Sequence, residues 1–557
     1  MTVKTGTGKL VDEFRAARRV STPLLQIITA DPAAVIDGLN KAAPDDPVLR
    51  WDSINGLVGL TPAGKAAIRV LFPDVDFEIT GRTDKEKQAA RENLERNLRE
   101  SSVRPTDALV RLQRAPAQTV TYLLNLGLWW GTDADIVQAL WNLRDPYKTS
   151  HRAAVVIGPE SVLPTALQHD VTVLRDPLPD RSELRDIVVA VHENAGLPLP
   201  DEKRMNKLID AVAGLSAFEA DQCASMAATK AGLDLAVLRG FRRAAVEATP
   251  GLSIHKGNTT RKDYGGGDAA FDFLLAAATG EEEAKVLVIF DEIDKAFGGA
   301  GTQGGPGDNT GVTQHQHGAF LKWLEGRKVR GGLFHGIPGS GKTYLLECLA
   351  GELDLELIKV DVGMMQSSAV GDSQARTQQA LDIIDAVGQG HVMAIATANS
   401  SAPLSTELLR RFSVLGEWYF DTCSPAERDQ IVGIKLQKYG LTVTADNPLP
   451  NMDGWTGAEI DRLCYLSWNL RWPFLKAARF VVPLTVSARE RIARIRDEAD
   501  GKYLSAAHGE TFDRHAADQV AAEAPAPATR AIELEDTARE VIENVVARKV
   551  LGGMKES

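Results

Sequence analysis

The sequence predicts an α/β protein, in which parallel β-sheets are covered by helices, and three features of the chain carry this prediction. Apolar runs such as Val286–Phe290 and Val392–Ala398 have the length and composition of strands that are buried on both faces. A glycine-rich segment, Gly336–Thr343, lies between another apolar run and a helical pattern. Similar segments also recur in the same order in both halves of the chain, which indicates two related α/β modules.

The composition is that of an ordinary globular protein with room for several domains. The chain has 557 residues, of which 44% are hydrophobic and 25% charged, and this length corresponds to about three to four domain-sized units. Its formal net charge is -12, so we expect a protein rather than nucleic acid as the main partner, although a local basic groove would still allow nucleic acid. Four scattered cysteines without metal-binding spacing, and the lack of a long apolar run, predict a cytoplasmic protein with reduced thiols and no membrane contact.

The glycine-rich segment has the pattern GxxxxGK[ST], which binds nucleotide phosphates when it follows a strand and opens a helix. Glycines let successive backbone N–H groups turn towards the phosphates, Lys342 would reach the β- and γ-phosphates, and the Thr343 hydroxyl would bind Mg²⁺. The segment closest to the GTP-selective NKxD motif, Asn206–Asp210, has the wrong spacing, so ATP is the expected nucleotide. The residues predicted to bind it are Gly336, Pro338, Gly339, Ser340, Gly341, Lys342, Thr343 and Tyr344.

A second motif would supply the metal ligand and the base for water. The run Val286–Phe290 is followed by Asp291 and Glu292, at the carboxyl end of the predicted strand, where ligands of open α/β sheets bind. Asp291 would hold Mg²⁺ together with Thr343, and Glu292 would polarise the attacking water. Alone, such a strand end is more often an ordinary sheet edge, but beside the phosphate-binding loop the functional interpretation is the stronger one.

The order of these two motifs is unusual, because the Asp-Glu strand precedes the phosphate-binding loop. The later alternative, Leu381–Asp385, lies within a helical pattern. Strand neighbours are set in space rather than by chain order, so we expect the two strands to lie side by side in one parallel sheet, with a helix at Val312–Gly326 in the connection. The carboxylate of Asp291 should then lie within about 8 Å of the Thr343 hydroxyl.

Two further segments carry polar groups that suit a phosphate site. The run Val392–Ala398 ends in Asn399, whose amide would contact the γ-phosphate and orient water, although such an asparagine is by itself more often a turn residue. Arg410 and Arg411 follow and offer guanidinium groups to the phosphates of a neighbouring subunit, although paired arginines commonly end a solvated helix.

Taken together, these motifs resemble the AAA+ family of P-loop ATPases, particularly AAA-type ATPases of phages and cyanobacteria. The resemblance covers residues 255–505 and rests on Gly336–Thr343, Asp291–Asp294, Val370–Ser373, Ala396–Asn399 and Leu408–Phe412. It implies a RecA-like parallel sheet with a helical lid, assembled into a ring that is usually hexameric, with each site shared between subunits. It also implies that Asn399 is the sensor-1 residue and that Arg411, with Arg410 beside it, is the arginine finger.

Three segments depart from the family pattern. Gly457–Glu459 matches the lid position where some members carry a sensor arginine, but no arginine is present. Asp263–Gly266 is similar to the segment beside the adenine, although it lies farther along the chain from the phosphate-binding loop than usual. Ser367–Ala369 stands where members that thread a substrate present a bulky grip, so the resemblance gives little support for forceful protein unfolding.

The first half of the chain is predicted to be a degenerate copy of the second. Asp176–Val188 parallels Asp421–Val432, and Gly214–Asp221 parallels Gly454–Asp461. The first copy has no phosphate-binding loop, so it should be catalytically inactive. The predicted organisation is a degenerate AAA-like module with its lid at 1–235, a linker helix at 236–254, the nucleotide-binding core at 255–432, its helical lid at 433–505, and a linker with a C-terminal helix at 506–557.

The residues and the resemblance lead to one preferred function and two alternatives. We expect an ATPase that forms a homo-oligomeric, hexameric ring in the cytoplasm and uses hydrolysis to remodel assemblies of an unidentified client protein, as a chaperone would. The first alternative is an AAA+ loader or helicase accessory that acts on nucleic acid. The second is a scaffold that assembles when it binds nucleotide.

Overall fold

The structure is a computed structural model that describes residues 7–43, 45–80, 83–159, 163–255, 258–297, 312–326, 329–364, 370–402 and 404–515. The chain divides into two compact units, the first formed by Met1–Asp421 with Arg491–Phe512 and the second by Thr422–Glu490 with Asp513–Ser557. The predicted segment Ser367–Ala369 and the predicted C-terminal helix lie outside the described residues, as do the side chains of Val370–Ser373. Among the described helices, none is long and apolar enough to cross a membrane.

A six-stranded sheet forms the N-terminal part of the first unit. Its elements are α1 (Thr7–Arg19), β1 (Leu24–Ile28), α2 (Pro32–Ala42), β2 (Val48–Asp52), β3 (Gly56–Gly59), α3 (Pro62–Leu71), α4 (Asp84–Glu100), α5 (Pro105–Leu112), β4 (Val120–Leu124), α6 (Ala134–Trp141), α7 (Arg144–Thr149), β5 (Ala153–Gly158) and β6 (Thr172–Arg175). The strands lie in the order β3-β2-β4-β5-β1-β6, and only β2 and β3 pair antiparallel. Successive residues of β1 alternate between two hydrophobic clusters, Leu24 in one and Leu25 in the other. The sheet is therefore covered on both faces, as its apolar strands predict.

A helical group follows this sheet. It comprises α8 (Arg181–Asn194), α9 (Glu202–Val212), α10 (Ala217–Met226), a short hairpin of β7 (Ala228–Thr229) and β8 (Gly232–Leu233), and α11 (Leu235–Glu247). Helix α8 begins with a capping box, in which Asp180 and Glu183 each accept a hydrogen bond from the other's backbone N–H. Leu238 of α11 is buried in the same cluster as Leu208 of α9. The prediction of a linker helix at 236–254 is therefore wrong, because this apolar face packs on the helical group.

A seven-stranded sheet forms the rest of the first unit, and helices form the described part of the second. The remaining elements are β9 (Leu252–Ile254), α12 (Asp268–Ala278), β10 (Val286–Phe290), α13 (Ile293–Phe297), α14 (Val312–Gly326), β11 (Arg330–Gly336), α15 (Lys342–Glu352), β12 (Glu356–Val360), α16 (Val370–Gly388), β13 (Val392–Ala398), α17 (Thr406–Arg411), β14 (Glu417–Phe420), α18 (Pro425–Tyr439), α19 (Gly457–Leu470), α20 (Phe474–Ala478), α21 (Leu484–Ser487), α22 (Arg489–Ala499) and β15 (Leu504–Ser505). The strands lie in the order β15-β14-β11-β13-β10-β12-β9, and only β9 pairs antiparallel with its neighbour.

The two sheets repeat one arrangement. From one edge, β6-β1-β5-β4-β2-β3 of the first sheet corresponds to β14-β11-β13-β10-β12-β9 of the second, and in both sheets the last strand is antiparallel. The chain passes through these positions in different orders. In the first sheet β1 precedes β4, whereas in the second its counterpart β11 follows β10, the counterpart of β4. The second sheet is therefore the one with the unusual order.

The prediction that the Asp-Glu strand lies directly beside the strand of the phosphate-binding loop is wrong. Strands β10 and β11 belong to one parallel sheet, but β13 lies between them and pairs with both. The length of a crossover allows two strands to be neighbours but does not require it. With β13 in the middle, the side chain of Asn399 at its end approaches groups on both sides.

The compact units also differ from the predicted boundaries. The second unit begins at Thr422 rather than 433, and the chain returns to the first unit at Arg491. Strand β15 then pairs with β14, and Phe512 is buried, so residues up to 512 are not a linker. We call Thr422–Glu490 the helical unit. Its core is a separate hydrophobic cluster that includes Trp455 and Phe474, which sequence periodicity alone did not delimit.

Polar contacts join the N-terminal helical group to the second sheet within the first unit. The guanidinium group of Arg242 in α11 lies 2.5 Å from the carboxylate of Glu356 at the start of β12. Arg181 donates a hydrogen bond of 2.7 Å to Gln389, which follows α16. Of these side chains only Arg242 is buried, and together the two contacts hold the helical group against the second sheet.

Candidate active site

The phosphate-binding loop connects β11 to α15, the strand, loop and helix that its sequence predicts. Gly336, Gly339 and Gly341 have positive φ angles of 148°, 81° and 92°, a region that residues with a Cβ rarely adopt. A Cβ on Gly336 would lie 2.2 Å from the carbonyl oxygen of Phe420 in β14. The glycines therefore serve both the turn and the close packing of the loop against the sheet.

The remaining residues predicted to bind the nucleotide lie along the same loop. The Ser340 hydroxyl donates a hydrogen bond of 2.7 Å to the carbonyl oxygen of Ile337, which closes the turn. Pro338 and Tyr344 are partly buried on either side of it. These residues shape the loop, and its exposed backbone between them is what a phosphate group would contact.

Lys342 is buried at the first position of α15. Its ammonium group donates hydrogen bonds to the carbonyl oxygens of Gly336 and Ile337 at 2.9 and 3.0 Å, and to the side-chain oxygen of Asn399 at 3.3 Å. Burial lowers the pKa of Lys342 to about 8, and nearby carboxylates, Asp294 first among them, partly offset this effect. The ammonium group is thus held inside the loop, within reach of Asn399 at the end of β13.

Asp291, which follows β10, and Thr343, in the first turn of α15, lie close together. The Thr343 hydroxyl donates a hydrogen bond of 3.2 Å to a carboxylate oxygen of Asp291, well within the predicted limit. Thr397 of β13 donates to the same oxygen at 2.5 Å and accepts the backbone N–H of Glu292 at 3.0 Å. A hydroxyl on the intervening strand therefore ties the end of β10 to β13 and holds Asp291 opposite the loop.

Glu292 lies at the exposed end of β10 between two polar partners. One carboxylate oxygen is 3.5 Å from the side-chain nitrogen of Asn399. The other accepts a hydrogen bond of 2.6 Å from Lys295. The φ angle of Glu292 is 50°, in the left-handed region that is uncommon for a residue with a Cβ. The chain thus turns sharply here, and the carboxylate stands beside the buried amide of Asn399.

Asp294 lies near the end of β13. Burial raises its pKa, and the nearby backbone N–H groups of Asn399 and Ser400 partly offset this effect.

The two arginines lie apart from the phosphate-binding loop of their own chain. Arg411 ends α17 and forms an ion pair with Glu325 at the end of α14. Arg410 is exposed on the same helix. Within the described residues neither guanidinium group contacts the loop, so the structure does not bring them together with the other predicted site residues of this chain.

The segment Asp263–Gly266 lies against the phosphate-binding loop despite its distance along the chain. The ring of Tyr264 is 6.1 Å from the ring of Tyr344, measured between centroids. A Cβ on Gly341 would lie 3.4 Å from the Tyr264 ring. The fold therefore places an aromatic side chain next to the loop, in the region that the resemblance assigned to the adenine side.

Sequence reasoning missed several residues of this site. It assigned no role to Thr397 or Asp294, although both belong to quoted motifs. Alternation along β13 was an available signal for Thr397, because it places Thr397 and Asn399 on the same face of the strand. Glu498, which accepts hydrogen bonds from Ser400 and Ser401, had no signal, because almost 100 residues separate it from β13.

The corresponding end of the first sheet is built differently. Strand β1 takes the position of β11, and Asp31 follows it, with a carboxylate that accepts the backbone N–H of Ala34 and caps α2. Thr29 donates a hydrogen bond of 2.7 Å to Asp176, and burial raises the pKa of Asp176 to about 6. A carboxylate thus already occupies the helix N-terminus that would attract phosphate, which disfavours a second anion there.

Comparisons with known proteins agree with this architecture. Residues 10–175 match the family model described as SpoVK-like AAA ATPase, N-terminal domain, and residues 332–387 match the model of the ATPase family associated with various cellular activities. The first match spans α1 to β6. The second contains the phosphate-binding loop and ends before β13.

Three curated relatives illustrate how the similarity is distributed. An uncharacterized AAA domain-containing protein ycf46 from Guillardia theta is 21% identical over 422 residues, which cover 66% of this chain and 76% of the relative. The protein of the same description from Trieres chinensis is 24% identical over 286 residues, half of each chain. Nuclear valosin-containing protein-like from Mus musculus is 43% identical, but over only 53 residues, 10% of this chain and 6% of the relative.

The long similarities are weak, whereas the strong one is confined to a short stretch of the chain. The mixed α/β architecture, dominated by parallel strands, is consistent with the RecA-like fold. Both matched regions are AAA regions by description, one in each sheet, and the comparisons therefore support the resemblance to AAA+ ATPases.

Proposed function

We propose that this protein binds ATP with Mg²⁺ at the carboxyl end of the second sheet and hydrolyses it. The observation that carries the proposal is the approach of Asp291 to Thr343, with 3.2 Å between their oxygens. Two hard oxygen donors from different elements meet there, next to a buried lysine and a glycine-rich turn.

The residues present fit the metal that the family implies. A threonine hydroxyl and a carboxylate are the oxygen ligands that Mg²⁺ prefers, and protein sites usually supply only one or two such groups beside the phosphates. Asp291 and Thr343 would hold the ion. When bound, it neutralises negative charge on the phosphate oxygens.

The side chains around this position have distinct roles in the proposed hydrolysis. Lys342 and the backbone N–H groups of the loop bind the phosphates and stabilise the negative charge that develops on them. Glu292 accepts a hydrogen bond from the attacking water and orients it. Asn399, which lies within 3.5 Å of both the Lys342 ammonium and the Glu292 carboxylate, keeps the water and the γ-phosphate in line. Lys295 must release Glu292 for this step, which its exposed position allows.

Substitutions of Lys342 and Glu292 separate binding from hydrolysis. Lys342→Ala should abolish nucleotide binding, measured by titration with a fluorescent ATP analogue. Glu292→Gln should bind the analogue normally but lose about 10²- to 10⁴-fold in turnover, because a positioned base contributes that much. Asp272→Ala serves as the control, because it removes an acidic residue of α12 to which no role is assigned. This variant should hydrolyse ATP at the wild-type rate. Unchanged turnover in Glu292→Gln would show that another residue orients the water.

We further propose that the protein works as a hexameric ring that remodels assemblies of a client protein. The net charge of -12 favours a protein client over nucleic acid. Glu292→Gln protein should retain ATP and client together, so affinity capture with ATP, compared with capture with ADP, would enrich the client. Enrichment of nucleic acid that disappears at high salt would instead support the loader alternative.

A further inference from the structure

Helix α22 connects the sensor strand to the point where the helical unit joins the first unit. Glu498, in the last turn of α22, accepts hydrogen bonds from the Ser400 hydroxyl at 2.9 Å and from the backbone N–H of Ser401 at 3.2 Å. These serines directly follow Asn399. Asn399 approaches both Lys342 and Glu292. Glu498 is therefore connected to the proposed site of hydrolysis through a single loop.

The same helix is anchored at the start of the helical unit. Arg496 donates two hydrogen bonds, of 3.1 and 3.0 Å, to one carboxylate oxygen of Asp421. Asp421 is the last residue of the first unit before the chain enters the helical unit, and Arg491 is the first residue after it returns. Both side chains are mostly buried, with exposed fractions of 13% and 18%, so this contact is less weakened by solvent than a surface ion pair. Two residues of α22 thus hold the sensor loop and the exit point of the chain.

A buried histidine lies against this junction from the strand of the phosphate-binding loop. His335, the residue before Gly336, is fully buried, and its Nε2 lies 3.5 Å from a carboxylate oxygen of Glu498. Burial lowers the pKa of His335 to about 4, so the ring is neutral at pH 7 and the pair is not an ion pair there. The ring of Tyr503, just after α22, is 5.1 Å from the ring of His335. Glu498 therefore lies between β11 and the loop after β13, the two segments that would border bound phosphates.

We propose that Glu498 is a positioning residue that transmits the state of the nucleotide from Asn399 and Ser400, through α22 and Arg496, to the junctions of the helical unit. This inference rests on the proposed function. When Asn399 shifts to meet a γ-phosphate, the loop at Ser400 and Ser401 moves with it. Because Glu498 is bonded to that loop, α22 follows and carries both ends of the connection to the helical unit.

Hydrogen exchange of peptides from residues 422–490 tests the relay in full-length protein. The wild type should show different exchange in these peptides with ADP and with ATPγS. Glu498→Ala should lose this difference, lower kcat about tenfold, and change the Kd of either nucleotide less than about threefold. Glu498→Gln should behave as the wild type, because its amide can accept from Ser401 and pair with Ser400. If Glu498 had a merely structural role, Glu498→Ala would lower the melting temperature but would keep the exchange difference between ADP and ATPγS.

Two further variants make the test decisive. Ser400→Ala removes one hydrogen bond without removing the carboxylate and should reduce the exchange difference in part, so it replaces Glu498→Ala if that variant fails to fold. Glu490→Ala, on the exposed start of the same helix, should keep the full difference. A full difference in a folded Glu498→Ala or Ser400→Ala protein would overturn the relay, as would equal loss in Glu490→Ala. Wild-type protein that binds nucleotide without any exchange difference would also overturn it, whereas wild-type protein that binds no nucleotide would overturn the proposed function itself.

Discussion

Lys342 shows how burial sets the chemistry of a single side chain. Its pKa is lowered to about 8 by burial, whereas a triphosphate beside it would favour the charged form and raise the pKa again. Below pH 8 the free site already carries the proton. Above pH 8 binding must take up a proton, so the Kd for ATP should rise by up to about tenfold for each pH unit, until the pKa of the complex is reached.

Calorimetric titrations with ATP between pH 6.5 and 9.5, each in two buffers of different ionisation enthalpy, measure this proton uptake directly. We expect uptake near zero at the acidic end and close to one proton at the alkaline end. An affinity for ATP that stays constant over the whole pH range would contradict the lowered pKa of Lys342 in the free protein.

The individual residues of the site were predictable to the extent that they belong to motifs. The loop Gly336–Thr343, Asp291 and Asn399 could be placed because strand ends and glycine patterns are local in sequence. Glu498 could not, since its contacts with Ser400 and Ser401 depend on a return of the chain after the helical unit. The ion pair between Arg411 and Glu325 could not be predicted either, because the two helices that carry these residues are far apart in the sequence and meet only in the fold.

At the scale of elements, α15 illustrates how closely the phosphate-binding helix is packed. A Cβ on Gly351, near the end of α15, would lie 1.9 Å from the carbonyl oxygen of Thr259. Gly351→Ala should therefore lower the free energy of unfolding by about 1–3 kcal/mol, since overpacking forces backbone shifts. Gly240 of α11 has nothing within 4 Å of its Cβ position, so Gly240→Ala should raise it by about 0.5–1 kcal/mol. Chemical denaturation measures both, and effects of the same sign would show that one of these environments is misplaced.

The strands demonstrate what an apolar pattern determines and what it leaves open. Burial on both faces made β10, β11 and β13 recognisable as strands of a parallel sheet. The pattern does not encode which strand lies next to which, so the position of β13 between β10 and β11 could not be predicted from it. The segment 236–254 was misread for a related reason, because its apolar face has a helical period whether it spans a gap or packs on a neighbour.

At the scale of the whole molecule, the two sheets share one strand arrangement. Comparing the same position in each shows why one sheet carries the candidate site and the other does not. Both sheets place a strand end, a helix N-terminus and a neighbouring strand in the same relation. In the first sheet a carboxylate caps that helix, whereas in the second glycine and lysine leave the N-terminus open to phosphate. The similarity of paired segments predicted the repeat, but the exact boundaries of the compact units depended on long-range pairing such as that of β15 with β14.

Arg411 provides the test of assembly. In the single chain it pairs with Glu325 and does not contact the phosphate-binding loop, so a catalytic role requires that it reaches the site of a neighbouring subunit. If it acts as an arginine finger, Arg411→Ala should bind ATP nearly normally but lose about 10³-fold or more in hydrolysis. Arg410→Ala, the adjacent exposed arginine, is the matched control and should lose much less if Arg411 alone enters the site.

Mixing Arg411→Ala protein with Lys342→Ala protein distinguishes action between subunits from action within one. Each interface of a ring joins the loop of one subunit to the opposite surface of the next. Random mixing of equal amounts therefore creates about a quarter of interfaces with an intact loop from one variant and an intact Arg411 from the other. Hydrolysis should recover to a comparable fraction of the wild-type rate. No recovery in mixed samples, together with a single-chain mass under ATP in light scattering, would contradict the ring, because the two defects would then lie in the same isolated site.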